Sequence, residues 1–148
     1  MQMFKAVKPV FQSWTVIKYL PTDQYLTQST DGLVLTDSNC GDASIFGVYK
    51  RQGDAIGLLN KLTHKWLGMT FWGNIACNGS SFGSREEWEI DDINLSRTYL
   101  LCACANWGSG GWIIMTPDKK LIYAGSEIAN KRKALLWKFT EVKVNPDL

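Results

Sequence analysis

Apolar residues recur almost nowhere in this sequence at the three- and four-residue spacing of a helix face, and that absence removes the helical fold classes first. No apolar run approaches the length that crosses a membrane, and the start, "MQMFKAVKPVFQSW", lacks the apolar core of a signal peptide. The expected chain starts at or near Met1 and stays in the cytoplasm without membrane insertion; any export would be unconventional. Charge of one sign is scarce as well, 16 Lys and Arg against 14 Asp and Glu, a net +2. So small a balance does not single out a polyanion, and nucleic acid is not an expected partner. The basic residues are dispersed apart from "NKRK" at Asn130–Lys133, which reads as a solvated loop.

Metal and nucleophile chemistry lack their parts. The one histidine, His64 in "LTHKW", reads as a surface turn residue. The four cysteines, Cys40, Cys77, Cys102 and Cys104, have no zinc-site spacing. In a strand, Cys102 and Cys104 would share a face roughly 7 Å apart at ~3.3 Å per residue, too far for an unstrained bridge. Free, mostly buried thiols are expected. Glu86/Glu87 and Asp91/Asp92 are adjacent pairs that point to opposite faces of a strand, so they do not converge as acid and base. "GSGG" at Gly108–Gly111 lacks the Lys-Ser/Thr of a phosphate loop. An enzyme is not expected, nor a cofactor or bound metal. Two sequons, Asn78-Gly79-Ser80 and Asn94-Leu95-Ser96, matter only in the secretory pathway.

What the chain does have is many short β-rich segments between turn residues. "WTVIKYL", "LVLT", "IFGVYK", "IGLLNKL", "TYLLCACANW", "GWIIMT" and "LLWKFTEVKV" are examples, separated by signals such as Thr30-Asp31-Gly32 and Pro117-Asp118-Lys119. A pattern of this length reads as one all-β domain spanning residues 1–148. Three windows are alike. Each opens on an aromatic–aliphatic pair, Tyr25-Leu26, Trp66-Leu67 and Trp112-Ile113, and each closes on an aromatic, Phe46, Trp88 and Trp137. The openings are 41 and 46 residues apart and the closings 42 and 49. Repeats of about forty residues belong to units that cannot bury their apolar faces alone. They divide the chain at about 12–52, 53–96 and 97–144.

Three such copies resemble the β-trefoil, in which three four-strand repeats build a six-stranded barrel capped by three hairpins. Within that group the pairs, preceded by Gln24, Lys65 and Gly111, and the closing Glu87-Trp88 look most like fascin-type domains. The ricin-B-like lectins share the fold and close each repeat on Gln-x-Trp. Here Ser44, Glu86 and Leu135 stand at the glutamine position, and Val34, Ala76 and Gly125 at the stacking aromatic, so no galactose site is carried over.

The six repeat-equivalent rings (Tyr25, Phe46, Trp66, Trp88, Trp112 and Trp137) are expected to fill the barrel, since large rings that recur with the architecture serve it. Trp14 reads as core or edge of a first strand. Trp72 in "TFWGN" and Trp107 in "ANWGSGG" have no aromatic counterpart in the other copies. Either they fold over the barrel ends as lids, or they meet a ligand. In the second reading each indole covers the apolar face of a sugar while Asn74, Asn78, Asn106 and Asp118 meet its hydroxyls. A non-enzymatic, lectin-like protein binding a glycan or glycoprotein is the first expectation. The fascin resemblance implies instead an actin-binding or other protein-interaction module, with Lys119, Lys120, Lys131, Arg132 and Lys133 on an acidic filament. A trefoil protease inhibitor would use the long loop 125–134.

Overall fold

The computed structural model describes residues 8–51, 55–70, 75–92, 98–103, 111–116, 121–124 and 136–143. Each third of the chain contributes four strands. The first has β1 (Val10–Tyr19), β2 (Gln24–Ser29), β3 (Gly32–Thr36) and β4 (Ile45–Lys50). The second has β5 (Ile56–Asn60), β6 (Trp66–Met69), β7 (Ile75–Gly79) and β8 (Trp88–Asp92). The third has β9 (Thr98–Ala103), β10 (Gly111–Met115), β11 (Leu121–Ala124) and β12 (Leu136–Val142). The outer strands of each copy pair in a closed ring, β1–β4–β5–β8–β9–β12 and back to β1, antiparallel throughout. The inner strands form three hairpins, β2–β3, β6–β7 and β10–β11. These cap one end of the barrel, where β7 touches both β3 and β11. The chain is a β-trefoil, and closing the ring leaves the barrel strands no free edge.

Local chemistry explains the punctuation. The β2–β3 turn is Thr30-Asp31, and it needs a glycine next because Gly32 sits at φ +124, a conformation side chains rarely adopt. Asp23 and His64 both take left-handed φ near 56° and 55° two residues before Tyr25 and Trp66. The single histidine is therefore an exposed turn residue in register with an aspartate.

The closing aromatics fill the barrel as expected: Phe46, Trp88 and Trp137 are 0, 0 and 1% exposed, and all join the core with Ile17 and Leu58. The opening pairs require a correction. Their aliphatic members, Leu26, Leu67 and Ile113, enter that core, whereas Tyr25 is only half-buried under the Lys18 ammonium. Successive residues of a strand face opposite sides, so one member of each pair must leave the barrel. The ring does so in the first two copies; the side chain of Trp112 lies outside the described residues.

Trp66 is buried by a different set of rings. A ladder runs along the outside of the barrel, from half-buried Trp14 through Phe11, Tyr49 and Trp66 to Phe82, with centroid spacings of 5.0, 5.4, 5.0 and 5.0 Å. Phe82 lies so close over Gly57 that a Cβ there would sit 2.5 Å from its ring. Gly57→Ala should therefore destabilise the fold by about 1–3 kcal/mol, the usual range for overpacking. Urea denaturation measures the loss, and adding Phe82→Leu should return part of it.

Candidate functional site

Of the six residues singled out for ligand contact, Asn78 is described. Trp72, Asn74, Asn106, Trp107 and Asp118 lie outside the described residues, as do Lys119, Lys120, Lys131, Arg132, Lys133 and loop 125–134. Asn78 is exposed near the end of β7 and lines a groove of about 410 Å³. The groove runs between the β6–β7 hairpin and the segment after it, with Thr70, Ser80, Ser81, Arg85 and Glu86 as its other polar walls. Trp72 and Asn74 fall, by sequence, in the connection between those two strands.

Glu86 is the residue that sequence reasoning passed over. It ends a short 3₁₀ turn, Ser84–Glu86, in which Glu86 N–H donates to the Gly83 carbonyl at 3.1 Å. Its carboxylate folds back over that turn, and Oε1 accepts the Gly83 N–H at 3.2 Å. The other oxygen lies over β6: a Cβ on Gly68 would stand 2.9 Å from Oε2, and one on Gly79 would stand 3.1 Å from Glu86 Cγ. Two glycines in facing strands thus leave the space this carboxylate occupies. Its neighbour Glu87 turns the other way and pairs with Arg51, which also donates to the Phe82 carbonyl at 2.6 Å and stacks on the Phe82 ring. The two glutamates diverge, as adjacent extended residues do.

Burial raises the Glu86 carboxyl above its ordinary value of 4.5. The Gly83 N–H and the guanidinium groups of Arg85 and Arg51 pull the other way, and Glu87 adds to the rise. A group held above its unfolded value binds protons more readily in the native state, so ionising it costs stability as pH climbs through that window.

Cys77 is buried, donates to the Lys65 carbonyl, and is pushed up to about 12 by desolvation. Cys40 is exposed rather than buried, and both are free. Among the described residues no cluster of three or more His, Cys, Asp or Glu could hold a metal ion, and no helix is long and apolar enough to cross a membrane.

No known protein family's sequence profile matches the chain, and no curated protein matches it. Among solved structures it is similar to the designed three-fold symmetric protein ThreeFoil, a β-trefoil. That match has a TM-score of 0.72 and 12% identity, over 88% of this chain and 100% of the designed one. It is also similar to the lysenin pore, with a TM-score of 0.63 and 12% identity over 95% of this chain and 50% of that one. The chain thus spans about half the length of the lysenin chain. At such identities the likeness is one of fold.

Proposed function

We propose that the protein is a non-enzymatic carbohydrate-binding protein whose groove beside the β6–β7 hairpin takes the hydroxyl edge of a glycan. The observation that carries this reading is Glu86, a half-buried carboxylate held over Gly68 and Gly79 in a groove it shares with Asn78, Ser80 and Ser81. A sugar presents closely spaced O–H groups that both donate and accept. A carboxylate accepts from two of them, an asparagine amide supplies both functions, and serine hydroxyls adapt to either. Charge-assisted bonds of this kind are about twice as strong as neutral ones, which gives the carboxylate the leading role.

A groove whose charged walls are one arginine and one glutamate does not single out an acidic filament, so the actin reading gains nothing from it. Pore assembly is not part of this reading either: the lysenin likeness covers half of that chain and, at 12% identity, shows fold alone.

A glycan array on the intact protein is the direct test. At least one neutral glycan should bind, and Asn78→Ala should weaken it about tenfold, from the loss of one or two hydrogen bonds. An array without a binder, or binding that Asn78→Ala and Ser81→Ala both leave unchanged, contradicts the proposal. Binding should also fade in acid. Protonation removes the double acceptor, and because the Glu86 pKa is raised, the loss should begin above the pH at which an ordinary glutamate titrates. A pH series of affinities against the best glycan measures where it begins.

A further inference from the structure

We infer that a cavity under the β2–β3 hairpin is a second binding site, for an uncharged small molecule with an apolar body and a hydroxyl group. The cavity encloses about 380 Å³, within the size range of small-molecule sites. Leu33 and Leu35 of β3 form one wall and Met115 at the end of β10 another, and all three pack against the barrel core. The floor is therefore set by the rigid interior. Tyr19, stacked on Trp137 at 5.6 Å, closes the side, and Val34, 37% exposed, stands at the rim.

The polar groups select the ligand. Thr22 Oγ1 donates to Gln24 Oε1 at 2.7 Å, and Gln24 Nε2 donates to Asp37 at 3.0 Å. Thr22 has spent its proton, so its oxygen is left to accept from a ligand O–H. Among the described lining residues none is acidic or basic. These described walls give a charged guest no ion-pair partner for the hydration it would lose, which favours an uncharged one.

Calorimetric titration of the intact protein with 2-naphthol, its methyl ether and 2-naphthalenesulfonate tests the assignment. 2-Naphthol should fill one saturable site, with the ether about tenfold weaker for want of the hydroxyl proton. The sulfonate should show no saturation. Val34→Trp should cover the mouth and abolish binding. Thr22→Val, which removes the accepting oxygen on the cavity wall, should weaken 2-naphthol about tenfold while leaving the ether unchanged, and it decides the matter if Val34→Trp does not fold. The absence of a saturable site, equal affinity for the sulfonate, or undiminished binding in Thr22→Val would overturn the inference.

Discussion

Trp88→Ala should leave the protein barely folded. The ring is fully buried in the barrel core, and its Nε1 donates to the Leu67 carbonyl at 2.9 Å, tying the closing strand of the second copy to its own hairpin. Removing a buried tryptophan typically costs about 3–5 kcal/mol, against a net stability on the order of 5–15 kcal/mol for a domain. At roughly 2–4 °C per kcal/mol for a chain of this size, the melting temperature should fall by about 6–20 °C. A sharper version compares two copies. Trp137 occupies the corresponding place in the third copy, equally buried, yet its Nε1 has no hydrogen-bond partner among the described residues. Trp88→Phe strands a carbonyl, whereas Trp137→Phe deletes an unsatisfied donor. The first should cost about 1–2 kcal/mol more than the second, although the volume removed is the same. Phe46, which fills this place in the first copy, shows that a phenyl ring is acceptable there.

Asn60→Ala should be nearly as damaging, although Asn60 is polar. It is 0% exposed, and its side chain organises the turn from β5 to β6. Oδ1 accepts the N–H groups of Leu62 and Thr63 at 3.1 and 3.0 Å, while Nδ2 donates to the Ala43 carbonyl at 3.0 Å. Alanine would leave two backbone donors and one acceptor without their partner in a part-buried turn. The expected loss is about 2–4 kcal/mol, with guanidinium denaturation as the measurement. Asn60→Asp should not rescue it, since the carboxylate keeps the acceptor, loses the donor and buries a charge. The offset that carries Trp66 to Trp112 also carries Asn60 to Asn106, so the asparagine read as a ligand contact stands in sequence register with a turn organiser.

The trefoil was legible because its signal is repeated. Strand-forming runs, turn residues and a closing aromatic recur three times, and chance does not reproduce that spacing. The direction of each opening pair was not legible. Tyr25 and Leu26 are both apolar, so alternation allows either to face inward, and only the ring of barrel strands settles the choice. The thiols divided in the same way: nothing in Cys40 and Cys77 themselves distinguishes an exposed turn from a core strand. At the candidate site Asn78 could be read from its polar turn, but Glu86 could not. Its importance comes from Gly68 and Gly79, 18 and 7 residues earlier, which the β6–β7 hairpin brings together beneath it. In the sequence it is one of two adjacent glutamates, and nothing there tells the partner of Arg51 from the one in the groove.

The most direct test is to replace Glu86 by glutamine and record two quantities on the same sample. Glutamine keeps an acceptor for the Gly83 N–H and removes the charge that burial disfavours. At neutral pH the melting temperature should hold or rise while affinity for the array's best glycan falls at least tenfold, about 1.4 kcal/mol. A variant that loses stability yet binds as tightly as the parent would contradict the account, because Glu86 would then support the fold and take no part in recognition.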